Sequence, residues 1–230
     1  MMPTEREKGW VVTPTVKAGP KMRLEARHSG QEREFTVESL SLTDVPDEAD
    51  RQRTQVARLR RDFGFPLPAP DWEPEDEQAL VLLCHADGVP VGSVRLVRRR
   101  GEADQWCPYL TPELGAALPS DPAGFLFGER LVIAPTARSL EALALVMHAA
   151  ATWAAALWPV REFAAITRPD LVRLSRWMGA RPLSEPMVLP GSDGLGLLIG
   201  GRLDEAATRT RDLFATGGWH LTTATAPPAQ

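Results

Sequence analysis

Gly128-Glu-Arg-Leu-Val-Ile133, a short Ala-Pro-Thr-Ala-Arg138 link, an alanine-rich run from Ser139 to Trp158, and Glu162-Phe-Ala-Ala-Ile166 together decide the fold of this chain. The outer pieces are brief and β-rich. The run between them places Leu140, Leu143, Ala144, Met147, Ala151 and Ala154 at the i, i+3, i+4 spacing of one helical face. A strand, a helix and a second strand in that order bring the chain back in its original direction, so the two strands are expected to pair in parallel. By apolarity alone, Leu140–Trp158 would also suit a membrane span. Glu141 and His148 within it, and a strand on each side, favour a helix buried in a protein core.

Upstream, Ala79-Leu-Val-Leu-Leu-Cys84 and Val91-Gly-Ser-Val-Arg-Leu-Val97 flank Ala86-Asp87-Gly88. Asp-Gly between two β-rich runs is a strong hairpin signal. Before the hairpin, Asp44 can cap a helix with Pro46, Asp47 and Glu48 in its first turn; it runs through Val56, Leu59, Arg60 and Phe63 and stops at Gly64. A proline-rich loop holding Trp72 and Glu73 follows. Phe35-Thr-Val-Glu-Ser-Leu40 reads as a strand, and Met22-Arg-Leu-Glu-Ala alternates well enough for a short one. After residue 166 come a helix from Pro169 to Met178 ended by Gly179, closing strands near 181–189 and 195–203, and a last helix, 204–215. The order predicts a mixed sheet. Residues 1–33 are expected to form an extension, 34–218 the domain, and 219–230 a disordered tail. The segment 98–124 is long for a loop in a compact domain and holds Trp106, Cys107 and Tyr109, which marks it as functional or mobile.

The 230 residues carry a formal net charge of −4, with 43% hydrophobic and 24% charged residues. That is the balance of a globular protein, and the sum is wrong for coating DNA. Cys84 and Cys107 are the two cysteines, and His28, His85, His148 and His220 are scattered, so no zinc-ligand spacing is present and no metal site is expected. Two cysteines in a chain of this size read as reduced thiols. With no apolar signal at the N-terminus, a cytoplasmic location is expected, with no membrane partner.

Four stretches resemble the GNAT acyltransferases over about residues 35–203, and within them the acyl-homoserine lactone synthases and N-acyl amino acid synthases. Arg58-Leu-Arg…Phe63 with Trp72-Glu73…Asp76 resembles the opening helix and acidic loop. Gly88-Val-Pro-Val-Gly-Ser-Val-Arg-Leu-Val97 resembles a strand pair ending in Gly-x-x-Arg-Leu. Glu129-Arg-Leu-Val-Ile-Ala-Pro-Thr-Ala-Arg138 resembles a strand and loop of pattern Arg-Leu-x-Val-x-Pro-x-x-Arg. Leu171 to Ala180 resembles the last helix before the closing strands. The resemblance implies an α/β (α+β) fold: a GNAT-like mixed, mainly antiparallel sheet with one splayed parallel strand pair and helices on both faces.

It also implies transfer of an acyl group from a phosphopantetheine thioester to an amine, with no bound cofactor. Leu131, Val132 and Ile133 would offer main-chain groups to the pantetheine arm, as an added strand does. Arg138, Ser139 and Leu140 would meet the donor phosphate. The acetyl-CoA branch carries Arg-Gly-x-Gly there, whose bare N–H groups cradle a pyrophosphate. This chain has Arg138-Ser139-Leu140-Glu141; both glycines are replaced and Glu141 would repel a phosphate. That shifts the expected co-substrate from acyl-CoA toward an acyl carrier protein. A tyrosine that protonates the leaving thiolate elsewhere in the family corresponds here to Ser175, with Tyr109 as another candidate.

Aminolysis needs a proton acceptor for the amine and a stabilised oxyanion. Glu129, on the strand where the resemblance implies an acidic base, is the candidate base, and an ion pair is the alternative for it. Arg95 and Arg130, in apolar strands, need carboxylate partners from protein or substrate. With Trp72 and Glu73 they are the candidate acceptor-binding set. The clusters Arg98-Arg99-Arg100 and Arg168, Arg173, Arg176 are solvated faces or sites for an acidic carrier protein. The same patches admit an aminoacyl-tRNA donor, and the lost glycines and tyrosine would also suit a non-catalytic binding module.

Overall fold

The computed structural model describes residues 22–30, 32–40, 46–63, 76, 79–99, 111–189 and 194–225. Ten strands form among them: β1 (Met22–His28), β2 (Glu34–Ser39), β3 (Leu80–Ala86), β4 (Val89–Arg99), β5 (Phe125–Ile133), β6 (Glu162–Thr167), β7 (Arg181–Pro182), β8 (Met187–Val188), β9 (Leu195–Arg202) and β10 (Trp219–Thr225). The sheet runs β10-β1-β2-β3-β4-β5-β6-β9-β7, with β8 paired to β9 off that path. Five helices accompany it: α1 (Pro46–Phe63), α2 (Pro112–Ala116), α3 (Leu140–Leu157), α4 (Val172–Trp177) and α5 (Leu203–Thr216).

The Asp87–Gly88 turn joins β3 to β4 with φ of 50° and 78°, as the dipeptide requires. Period-two alternation then sorts the sheet into two faces. On one face Leu24, Leu82, Leu96, Leu126 and Phe163 pack beneath α3 and α5, whose Leu145, Ala149, Trp153, Ala206 and Phe214 are buried against them. On the other, Val81, Leu83 and Val132 meet Val56 and Leu59 of α1, while Phe125, Phe127, Ala164 and Leu198 meet Leu114 of α2. Helices therefore cover both faces. Helix α3 is apolar enough by length and composition to cross a membrane, but nine of its residues are buried within this core.

The parallel pair is present. Leu126, Phe127 and Gly128 of β5 pair with Phe163, Ala164 and Ala165 of β6. Beyond Gly128 the two strands pair no further, and β5 bulges: Ser93 faces Val132 and Arg95 faces Glu129, so β5 spends one residue more than β4 across that interval. Arg130 absorbs the extra length at φ 53°, a left-handed conformation that costs a non-glycine residue about 1 kcal/mol or more. The bulge turns the second half of β5 away from β6 and opens the sheet between them. Gly92 stands opposite this kink, where a Cβ would lie 2.9 Å from the Val132 carbonyl.

Several boundaries differ from expectation. The tail expected to be disordered from residue 219 instead forms β10, antiparallel to β1, and the supposed extension contributes β1 itself. Trp219 explains the difference: it packs on Phe35, Phe214 and His28, and Leu221 and the threonines after it suit a strand. The closing segment 181–189 is two short strands, and Pro169–Leu171 is a 3-10 turn ahead of α4. Strand β5 begins at Phe125, and α2 occupies part of the supposed loop.

Candidate active site

The bulged half of β5 positions most of the site. Glu129 sits at the last residue before the kink, on the α1 face, opposite Arg95 of β4. Arg95 and Arg99 lie four residues apart on one strand, so both point to that face. Each takes one oxygen of Glu129: Arg95 Nε donates to Oε2 at 2.9 Å, joined by Nη2, and Arg99 Nη2 donates to Oε1 at 2.9 Å. Arg95 Nη1 also lies 3.7 Å from Asp76 Oδ1. Asp76 is held from the other side by Arg60 of α1, Nη1 to Oδ2 at 2.7 Å and Nη2 to Oδ1 at 2.8 Å. Exposures fall from 14% at Glu129 and Arg99 to 0% at Asp76. Burying five charges is tolerable only because each meets opposite charge through short hydrogen bonds.

A cavity of about 360 Å³ lies against this cluster, within the range of about 300–1,000 Å³ of small-molecule sites. It runs through the gap between β5 and β6. Arg60, Arg95 and Glu129 line it on the α1 face; Leu96, Leu126, Met147, Ala150, Ala151 and Phe163 line it on the α3 face, with Leu203 and Ala206 of α5 beyond. One end is therefore charged and hydrogen-bonding, and the other is hydrocarbon. Gly128, Ala164 and Ala165 line the passage, and their small side chains leave it open.

Arg130, Leu131 and Val132 line the same cavity. Leu131 is 48% exposed, whereas Val132 is buried under α1, so Val132 could meet a ligand only through its main chain. Ile133 is partly buried against the α3-side core, and its carbonyl accepts from Arg138 Nε at 3.2 Å. Ser139 caps α3 by accepting the Ala142 N–H at 3.2 Å, and Leu140 starts the helix. The Arg138–Leu140 turn is thus built around its own cap. Ser175 is buried at the cavity wall and donates its hydroxyl to the Leu171 carbonyl at 3.0 Å. Trp72, Glu73, Trp106, Cys107 and Tyr109 lie outside the described residues. Among the described residues, no three of His, Cys, Asp and Glu converge as metal ligands.

The geometry therefore unites Glu129, Arg95, Arg130, Leu131, Val132 and Ser175 around one cavity, and leaves Ile133, Arg138, Ser139 and Leu140 outside its lining. It adds Arg60, Asp76 and Arg99. The sequence offers Arg98–Arg100 as a solvated face or a carrier-protein site, and Arg100 lies outside the described residues. Arg98 instead ties Ala123 through its carbonyl, at 2.8 and 3.2 Å, and Arg99 holds Glu129. The i, i+4 spacing of Arg95 and Arg99 on a strand was the available signal.

No protein-family model matches the sequence, and no curated protein matches it. Solved structures do. The AHL synthase LasI superposes with a TM-score of 0.55 at 14% identity, covering 80% of this chain and 91% of LasI. FeeM, an N-acyl amino acid synthase from uncultured soil microbes, gives 0.55 at 13% identity, covering 77% and 95%. BjaI, a CoA-dependent acyl-homoserine lactone synthase solved with SAM and isopentyl-CoA, gives 0.53 at 16% identity, covering 78% and 88%. At such identities the likeness is one of fold, and it matches the GNAT-type acyltransferase fold expected from the motifs.

Proposed function

We propose that this chain is an N-acyltransferase that moves an acyl group from a phosphopantetheine thioester, on an acyl carrier protein in preference to coenzyme A, to the amine of a small metabolite or amino acid. The observation that carries the proposal is the cavity through the parted β5–β6 pair, with the Arg95–Glu129 cluster on one side of the sheet and an apolar pocket on the other. A thioester needs both environments: a dry place for its acyl chain, and oriented polar groups where charge develops.

The amine nitrogen attacks the thioester carbonyl carbon; the new C–N bond forms, the C–S bond breaks, and a proton leaves the nitrogen and ends on the sulfur. Holding both reactants in one slot supplies much of the rate. The main chain of Leu131–Ile133, turned away from β6 by the bulge, is assigned to the pantetheine arm. Glu129 is assigned to the amine. Arg95 and Arg99 fix its orientation, and a carboxylate has about four lone-pair sites, so it can accept an amine N–H beyond those bonds. Arg130 and Arg95 are assigned to an anionic group of the acceptor. Ser175 can return a proton to the thiolate by turning its hydroxyl from the Leu171 carbonyl.

The preference for a carrier protein rests on the start of α3. Ser139 rather than glycine caps it and Glu141 lies in its first turn, a poor combination for a pyrophosphate. Cys84 is a buried free thiol, in keeping with a reducing, cytoplasmic setting. The test is parallel incubation with acyl-CoA, an acyl carrier protein loaded with the same acyl group, and aminoacyl-tRNA, with a mixture of amines and amino acids, read by mass spectrometry. Amide products from the carrier thioester support the reading. Consumption of no thioester at all overturns it, and efficient use of acyl-CoA alone overturns the donor preference.

A further inference from the structure

Helix α4 presents two unlike faces. Leu171, Leu174, Ser175 and Met178 of α4 and its flanking turns line the cavity. Arg173, Arg176 and Trp177 fall at i, i+3 and i+4 on the side facing solvent, and Trp177 is 59% exposed. Arg181 of β7, the strand α4 packs beside, is exposed as well. A tryptophan this exposed has forgone much of the stabilisation that burial gives a large aromatic side chain.

The arginines around it fall into two groups. Arg168 is bound to Asp170, Arg202 to Asp204 and Arg209 to Glu205. Arg173, Arg176 and Arg181 form no ion pair among the described residues. Nearby acids are Asp170 and Glu205, both already paired, and Glu185 after β7. The result is an exposed tryptophan on the same helix face as Arg173 and Arg176, with exposed Arg181 on the neighbouring strand and the cavity on the helix's other side.

We infer that this face of α4, Arg173, Arg176 and Trp177 with Arg181, is the docking surface for an acidic helical protein that delivers the thioester arm into the cavity. The inference rests on the acyltransfer reading above and assigns its partner a place. Tryptophan and arginine are the residue types that dominate interface energies, and a cationic patch attracts an acidic partner and speeds its encounter. The partner's arm then has a short path, because the opposite side of the same helix lines the slot.

The experiment compares Arg173→Glu/Arg176→Glu and Trp177→Ala with the parent chain. The donors are an octanoyl-loaded acyl carrier protein from a fatty-acid synthase, octanoyl-CoA and octanoyl-pantetheine. Thermal unfolding checks folding, and Arg173→Lys/Arg176→Lys keeps the charge. KM for the carrier thioester should rise about tenfold or more in the Glu and Ala variants, with kcat and the two small donors unchanged and the Lys variant near the parent. Equal losses for all three donors, or no loss for the carrier, overturn the docking surface. Direct binding of the holo carrier protein is measured alongside, so the outcome stands even where no donor is turned over: binding weakened by the Glu variant and by added salt supports the surface, and absent or unaltered binding overturns it. A single-stranded RNA ending in CCA is the control ligand. Trp177-dependent RNA binding with no carrier binding would reassign the patch to nucleic acid.

Discussion

Gly128 of β5 and Ala165 of β6 are the last partners before the two parallel strands part, and a Cβ placed on Gly128 would stand 3.6 Å from the Ala165 Cβ. That is ordinary contact distance, so the smallest side chain fits and anything larger must grow into the passage between the two sheet faces.

Gly128→Ala should therefore keep near-parental stability and turnover, whereas Gly128→Phe should lose about 10²-fold or more in kcat/KM. Steady-state kinetics on the two variants, with melting curves as the control, checks the order. Equal activity of both would mean that the passage is not used.

Glu129 is the shared carboxylate of Arg95 and Arg99, and Arg95 is only 7% exposed. Glu129→Ala leaves two poorly solvated guanidiniums short of a partner and should cost about 3 kcal/mol in urea unfolding. Glu129→Gln keeps an oxygen acceptor and should cost less, while turnover falls in both variants. A turnover loss without the stability difference would separate the carboxylate's chemistry from its ion pairs.

The hydrocarbon end of the cavity is bounded by Ala150 and Ala151 of α3. Leucine at either position should shorten the acyl chain accepted, with kcat/KM falling about fourfold for each methylene displaced, from ~0.8 kcal/mol per buried CH₂. A series of acyl donors from four to twelve carbons (roughly the span such a pocket admits) reads the cutoff. An unchanged chain-length profile would place the acyl group elsewhere.

His148 links α3 to α5, its Nδ1 lying 3.1 Å from the Ala207 carbonyl and 3.0 Å from Thr210 Oγ1. Burial, with a smaller contribution from Arg211, holds its pKa below the usual histidine value, and burial acts likewise on His85. The unfolded chain then binds protons first. Stability is full above about pH 6.5 and declines as pH falls through that value, levelling once the folded imidazoles also protonate. His148→Asn, which keeps an N–H near the Nδ1 position, should flatten part of that decline when urea midpoints are compared at several pH values.

Burial pushes the Cys84 thiol up to about 12. A thiolate is the reactive form, so Cys84 should resist alkylation in the native protein and react on unfolding. Peptide mapping after iodoacetamide treatment at increasing urea distinguishes the two states.

The elements most legible in the sequence were those whose signals are local. Asp87-Gly88 dictated its hairpin, and the alanine-rich run dictated α3 and with it the parallel pair. The ends of the chain were less legible. Trp219 reads as an isolated aromatic until Phe35, nearly two hundred residues earlier, is known to lie beneath it. The site divided in the same way. Arg95 stood out because a charge in an apolar strand is conspicuous, and Glu129 because the resemblance places an acidic base on its strand. Arg99 was missed because the sequence reads this strand as ending at Val97, two residues before its alternation brings Arg99 to the face of Arg95. The bulge at Arg130 had no signal in side-chain type, since it substitutes a strained arginine for the glycine or asparagine that usually takes such a conformation.

Pairing β10 with β1 ties residues 219–225 to residues 22–28. A chain growing from the ribosome completes β1 long before its outer neighbour exists, so this margin of the sheet cannot close until residues 219–225 have been made. Until then β1 offers an open row of amides and carbonyls to any other extended segment nearby. Shortening the protein to Gly218 would make that transient condition permanent, and the product should associate with itself where the longer chain does not.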